Sequence, residues 1–165
     1  MKLLSGYRSL FLITCSALGF DVSFAQAPAL EIHTANAQLT DNIRAHVRLP
    51  SISCASDDAE LAHALRSREA TLANTVQRAS QAVGFYSAEP QINIEKTSDC
   101  WLLSIAVEAG DPVLIKSVAI SIATDADLFA STLETLPLRE GRQLSHGDYE
   151  AAKAELSASA LELGF

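Results

Sequence analysis

Three residues near the C-terminus, Ser145, His146 and Asp148, are the residue types of a hydrolase triad. In such a triad the serine attacks the substrate, the histidine takes its proton, and the carboxylate orients the histidine. Those groups come from separate elements of a fold, whereas here they are neighbours along the chain. Ser145 followed three residues later by Asp148 is instead the pattern that begins a capped helix. We therefore interpret this group as a helix cap and predict no catalytic site.

Metal chemistry needs ligands at spacings that bring them to one point, and the histidines lack such spacings. No pair of them follows the H-x-x-x-H or H-E-x-x-H pattern, and no C-x-x-C pair is present. The acidic pair Asp57-Asp58, and Asp125 with Asp127, precede helical patterns and are interpreted as cap acids. The four histidines are His33, His46, His63 and His146. We predict no metal site, no cofactor and no enzymatic activity.

Residues 1–25 have the features of an export signal peptide. Lys2 and Arg8 make the N-terminal part of this segment positively charged. An apolar run follows, and residues 23–25 resemble a cleavage site. Cys15 raises a lipoprotein alternative, which the threonine before it disfavours. The sequence therefore predicts an exported protein whose folded part begins after this segment.

Two cysteines, Cys54 and Cys100, lie beyond the predicted signal. An exported pair can form a disulfide, because compartments outside the cytoplasm are oxidising. Closing a loop of this length adds about 4 kcal/mol in the chain-entropy model. The alternative is a pair of free, buried thiols. We name Cys54 and Cys100 as a candidate disulfide.

The charge of the chain restricts its partners. It carries 20 acidic and 12 basic residues, which gives a formal net charge of −8. An acidic domain repels nucleic acid and anionic lipid head groups. No basic patch with interleaved aromatic residues is present, so we predict no nucleic-acid partner. Beyond the signal, no apolar run reaches the length of a membrane helix.

The elements that hold these residues begin with an α+β unit. Residues 29–34 alternate like a half-buried strand, and a short helix then ends before Pro50. A longer helix, whose early turns could be a separate segment, continues to Gly84. Residues 88–108 contain two alternating runs joined by a polar turn, which is typical of a β-hairpin. The order β-α-α-β-β predicts a two-layer α+β sandwich, with Trp101 as a core anchor.

A second stretch repeats the start of this unit. After a boundary at residues 109–112, residues 114–122 predict a strand, and a helix then ends at Pro137. The final helix ends in Gly164-Phe165, as the earlier one ends in Gly84-Phe85. No counterpart of the hairpin follows, so we predict that the second unit is truncated before its closing hairpin.

A tandem β-α-α-β-β unit behind an export signal resembles the POTRA domains of outer-membrane assembly proteins. Three motifs are similar to those of the TamA family in the Omp85 superfamily. They are Gly84-Phe85-Tyr86, the EAGDPV run at 108–113, and the LSHGDYE run at 144–150 with Lys153 and the final Gly164-Phe165. The resemblance implies a first POTRA-like domain at 29–109 and an incomplete second one at 112–165.

The resemblance implies a periplasmic arm of a factor that assembles outer-membrane proteins and autotransporters. The C-terminal barrel that would hold such an arm in the outer membrane is absent from this chain. The implied partners are a TamB-like protein anchored in the inner membrane and unfolded outer-membrane proteins. Such partners would bind by adding a strand to a sheet edge. In this fold the first hairpin strand is an edge, so the candidate binding residues are Gln91, Ile92, Asn93, Ile94 and Glu95.

Two other functional interpretations stay open. One is the arm of a different Omp85 relative, such as a BamA-like factor or a two-partner secretion transporter. The other is a small secreted enzyme or a soluble binding protein. An edge strand can also pair with nothing and be guarded by charges, here Glu95 and Lys96.

Overall fold

Three β-strands form one sheet in the computed structural model, which describes residues 27–123 and 126–165. The predicted export signal lies outside the described residues. The hairpin strands are β2 (Glu89–Lys96) and β3 (Trp101–Glu108), which pair antiparallel along their whole length. β1 (Ala29–His33) pairs in parallel with the other side of β3, so the order is β1-β3-β2. The predicted hairpin is confirmed, and β2 lies at an edge of the sheet.

Two helices cover one face of this sheet. They are α1 (Ala37–His46), which begins at the side-chain cap of Asn36, and α3 (Glu69–Ala82). Alternate side chains of β3 are buried against them, as the period of a strand requires. The main core contains Leu39, Ile43, Val47, Leu72, Val76, Ala79, Val83, Phe85, Ala88, Leu103, Ile105 and Val107. The predicted α+β sandwich is therefore confirmed.

The longer second helix, whose early turns the sequence left open as a separate segment, consists of two helices. The first, α2 (Asp58–Arg66), begins at Asp57, whose carboxylate accepts from its first N–H groups. Leu61 and Leu65 of α2 face Trp101 at the end of the hairpin, whereas α3 faces the main core. The three- and four-residue spacing of apolar residues continues across the break, so this spacing does not reveal the turn.

The strand predicted at 114–122 is absent, and this prediction was wrong. The one isolated bridge of the described residues joins Leu114 to Gln143. Val118 and Ile120, whose alternation suggested a buried strand face, are 40% and 41% exposed. A strand exists through its pairing, and none of the described strands lies beside residues 116–122. The alternating apolar residues of 116–122 therefore indicate a segment that is able to join a sheet, but none of the described strands pairs with it.

Three helical elements complete the second unit. A 3-10 turn (Ala126–Phe129) leads into α4 (Ala130–Thr135), which packs on α5 (His146–Glu162) through a Thr132–Ser159 hydroxyl contact of 3.0 Å. Asp125 or Asp127 was predicted to cap the helix that begins here. Asp127 lies within the 3-10 turn, α4 begins without a side-chain cap, and Asp125 lies outside the described residues.

Candidate functional site

The outer side of β2 is a free edge among the described residues. The turn fixes which main-chain groups face outward, because Thr97 N–H donates to Cys100 C=O at 2.7 Å. Main-chain groups alternate between the two sides along an antiparallel strand. Every second residue counted back from Thr97 therefore bonds to β3. These inward-bonding residues are Glu89, Gln91, Asn93 and Glu95.

The residues between them direct their main-chain groups away from the sheet. Ile92, Ile94 and Lys96 offer both N–H and C=O to an incoming strand, whereas Pro90 offers only its C=O. Proline is tolerated here because the missing N–H belongs to the outward side and not to the β2–β3 ladder. The free edge therefore begins at Pro90 and ends at Lys96.

The side chains of the candidate residues divide by face. Ile92 and Ile94 are half-buried and pack against the main core, and Ile94 also contacts the cluster around Trp101. Gln91, Asn93 and Glu95 are exposed on the uncovered face of the sheet. The structure thus brings the five predicted residues together on one edge, with apolar side chains turned inward and polar ones outward.

A charged pair closes the C-terminal end of this edge. Lys96 Nζ donates a hydrogen bond to Asp58 Oδ2 at the start of α2. The Lys96 ammonium lowers the pKa of the Asp58 carboxyl below its usual value, chiefly through this hydrogen bond. Both side chains are more than half exposed, at 54% and 60%, so the pair contributes little to stability. The pair marks the place where the start of α2 lies beside the last residue of the edge.

A small apolar cluster lies under α2, beside the end of the edge. Leu61, Leu65 and Trp101 are buried in it, with at most 8% of each exposed. The Arg66 guanidinium carbon lies 5.9 Å from the Trp101 ring centroid, which is cation–π distance. Trp101 Nε1 is buried without a hydrogen bond among the described residues, although it lies near enough to Asp58 to help lower the pKa of that carboxyl.

The candidate cysteine pair lies at the same end of the hairpin. The structure joins Cys54, in the loop before α2, to Cys100, in the hairpin turn. Their Cα atoms are 5.4 Å apart, within the range that a disulfide spans. The bond, the Lys96–Asp58 pair and the Trp101 cluster therefore hold α2 on the hairpin at closely spaced points.

A second set of contacts joins the two units. Gly84, with φ of +89°, ends α3, and its C=O accepts from Val113 N–H at 2.9 Å. A Cβ at Gly84 would lie 2.4 Å from the carbonyl oxygen of Leu144. Gln143 Nε2 also donates to Val83 C=O. Glycine is therefore required at position 84 for two reasons, its left-handed backbone conformation and the close approach of the second unit.

The hydrolase-like group has a structural role at this junction. Ser145 Oγ accepts from Asp148 N–H at 3.2 Å, which confirms the predicted cap of α5. His146 Nε2 lies 2.7 Å from the hydroxyl of Tyr86 in the first unit, instead of from a serine. The three side chains therefore form no nucleophile–base pair.

Two further classes of site are not seen in the described part of the chain. No cluster of three or more histidine, cysteine or acidic residues is placed to hold a metal ion within 27–123 and 126–165. Over the same ranges, no helix has both the length and the apolar character needed to cross a bilayer.

Sequence reasoning missed the inter-unit junction. Tyr86 and Val113 belong to motifs named above, but polar or exposed residues in loops have no periodicity, so neither these two residues nor Gln143 indicates which residues they contact. Gly84 alone signalled it, since glycine after a helix indicates a left-handed residue. That signal predicts the end of the helix but not the Leu144 carbonyl that lies against it.

Comparisons with known proteins match the first unit. Residues 29–109 match the family model described as POTRA domain TamA domain 1. Among solved structures, the crystal structure of Haemophilus influenzae BamA POTRA3-5 aligns with 80% of the chain at 14% identity and a TM-score of 0.39. The aligned chain spans 49%, about half, of that structure. A comparison with curated proteins found no match.

Proposed function

We propose that the chain is part of the periplasmic arm of an outer-membrane assembly factor, because residues 29–109 match the family model described as POTRA domain TamA domain 1. In this role the chain acts by binding other chains and not by catalysis. The observation that carries the proposal is the free edge of β2, with outward main-chain groups at Ile92, Ile94 and Lys96. The joined cysteines agree with an oxidising compartment such as the periplasm.

The edge supports binding by strand addition. An extended segment laid beside β2 would bond to the outward N–H and C=O groups of Ile92 and Ile94. Main-chain bonds do not depend on the side chains of the partner, so one edge can hold segments of different sequence. Among the described residues the inward faces of Ile92 and Ile94 are already packed, which leaves the main chain as the principal contact.

The TamA domain 1 match also supports finer assignments within the proposal. We assign unfolded outer-membrane proteins, including autotransporters, as clients, and a TamB-like protein anchored in the inner membrane as partner. Client strands alternate in hydrophobicity over about ten residues. Such segments suit an edge that recognises extended backbone and places few demands on side chains.

We also propose that residues 112–165 belong to a second unit of the same kind. Gly164 ends α5 as Gly84 ends α3, with φ of +85° and +89°. In each case the following phenylalanine N–H reaches a carbonyl at 2.9 Å, Ser80 for Phe85 and Ala160 for Phe165. On this proposal the amides of Val118 and Ile120 should exchange with solvent much faster than those of β3, because they have no paired neighbour.

Proline substitution at the edge tests the binding mode. Ile92→Pro removes an outward N–H that contributes nothing to the β2–β3 ladder. Pro90, the preceding outward-facing residue of β2, already lacks this group. Ile92→Ala is the matched control, because it truncates the same side chain and retains the N–H. Titration with an alternating ten-residue peptide from an outer-membrane strand should be followed through the amide exchange of Ile94 and Lys96.

The expected outcome separates the two variants. The unsubstituted chain and Ile92→Ala should gain protection at Ile94 and Lys96 when peptide is added, whereas Ile92→Pro should gain much less. If peptide protects other residues, or if both variants lose binding equally, the main-chain edge is not the contact and the proposal fails.

A further inference from the structure

α2 covers an apolar cluster that is separate from the main core. The buried members of this cluster are Leu61, Leu65 and Trp101, and none of them belongs to the core between α1, α3 and the sheet. Only Leu61 and Leu65 of α2 itself are buried, and the rest of its residues are half-buried or exposed. The helix therefore lies on the domain as a covering piece and does not form part of its centre.

The attachments of α2 are concentrated at the hairpin end. Cys54 is joined to Cys100 just before the helix, and Asp58 in its first turn accepts from Lys96. Arg66 at its last residue lies over the Trp101 ring at 5.9 Å. Of these attachments, the Lys96 pair is solvent-exposed and the Arg66 contact is weak, so the covalent bond is the strongest constraint on the segment.

The other end of α2 joins α3 through a two-residue turn. Ser67 and Arg68 separate α2 from α3, and both are exposed. Ser67 N–H still donates to His63 C=O at 2.9 Å, but no side chain caps the start of α3. Rotation at this point would lift α2 without moving α3, whose apolar face is anchored in the main core.

We propose that α2 and the loop before it form a disulfide-held lid over Trp101, which opens when the Cys54–Cys100 bond is reduced. A dithiol supplies the two electrons and two protons: it becomes a cyclic disulfide, and Cys54 and Cys100 become free thiols. Opening uncovers Leu61, Leu65 and Trp101 beside the C-terminal end of β2. The sheet, α1 and α3 stay folded, because the buried residues of their core all lie outside residues 48–66, of which only the half-buried Leu49 packs against that core.

The chain offers a direct probe of the lid, since Trp101 is its one tryptophan. The full chain carrying Cys15→Ser, oxidised and folded, should be treated with a dithiol in the absence of denaturant. We expect the Trp101 emission to shift toward that of the urea-unfolded chain. The amides of Leu61 and Leu65 should lose protection by at least about tenfold, while those of Leu103 and Ile105 keep theirs.

Two controls make the outcome decisive. The variant that also carries Cys54→Ser and Cys100→Ser should show no further change on addition of dithiol, and mass spectrometry with a thiol reagent should show both cysteines reduced in the test protein. An unchanged Trp101 emission after full reduction overturns the proposal, as does a loss of protection throughout β3. The lid experiment contains no peptide, so a failure of either experiment leaves the other interpretable.

Discussion

Replacing Gly84 by alanine tests whether the two units are fixed to each other at this position. The substitution has two effects that the chain allows us to separate. An L-residue at φ of +89° costs about 1–2 kcal/mol of backbone strain. The smaller unfolded-state entropy of alanine offsets about 0.4–1 kcal/mol of that cost. The new Cβ would also lie 2.4 Å from Leu144 O, which forces the second unit to move away.

The cost of that movement follows from the hydrogen bonds that cross the junction. Val113 N–H to Gly84 C=O, Gln143 Nε2 to Val83 C=O, and the Tyr86–His146 contact would lengthen or break. Each contributes about 0.5–1.5 kcal/mol net, so the combined loss of the three is about 1.5–4.5 kcal/mol. We therefore expect Gly84→Ala to destabilise the chain by about 1.5–6 kcal/mol in total.

Gly164→Ala is the matched control for strain alone. Gly164 has φ of +85° and the same pattern of helix-ending hydrogen bonds, but its Cβ would meet nothing within 4 Å. Its cost should not exceed about 1–2 kcal/mol. Urea unfolding followed by far-UV circular dichroism gives the free energies, and hydrogen exchange at the Val113 amide reports the junction. Equal destabilisation by the two variants, with Val113 still protected in Gly84→Ala, would refute the reasoning.

Two further perturbations address the contacts at each end of the first unit. Because Lys96 lowers the pKa of Asp58 in the folded state, the contribution of this pair is present above the ordinary carboxyl value of 3.8 and is lost as the pH falls through the lower folded pKa. An acid titration of Trp101 emission should therefore show a step below pH 3.8 that Asp58→Asn removes; an unchanged step would exclude Asp58 as its source. At the junction, Tyr86→Phe should cost about 0.5–1 kcal/mol in urea unfolding. The same substitution should cost nothing more in a His146→Ala background, and additive losses would show that the two side chains are not coupled.

Much of the first unit follows from local chemistry. The alternation of Trp101, Leu103, Ile105 and Val107 predicts one buried face of a strand, and those side chains are buried on β3. Ser145 and Asp57 precede helices and cap them, because an unpaired N–H needs an acceptor wherever a helix begins. These features depend on a few consecutive residues, so a single sequence contains the information.

The features that the sequence left open or predicted wrongly depend on distant partners. Residues 114–122 alternate as well as β1 does, but only β1 has a neighbouring strand, so alternation alone does not make a strand. The break between α2 and α3 arises because Leu61 and Leu65 have a different partner, Trp101, from the residues that follow. The separation of the lid from the main core could not be predicted for the same reason. The spacing of apolar residues along α2 and α3 does not indicate which residues each of them contacts.

The extent of the free edge limits how tightly the proposed partners bind. Pro90 supplies no N–H, and past Lys96 the strand turns, so an added strand finds outward donors at Ile92, Ile94 and Lys96 and acceptors at those residues and at Pro90. At about 0.5–1.5 kcal/mol for each bond, this edge provides several kcal/mol. Ordering an extended segment costs about 1–2 kcal/mol for each residue, and association itself costs more. Main-chain pairing at β2 alone therefore gives weak binding, and tighter binding requires additional apolar contact. Leu61, Leu65 and Trp101 lie next to the end of the edge, and they become available for such contact only when α2 is displaced.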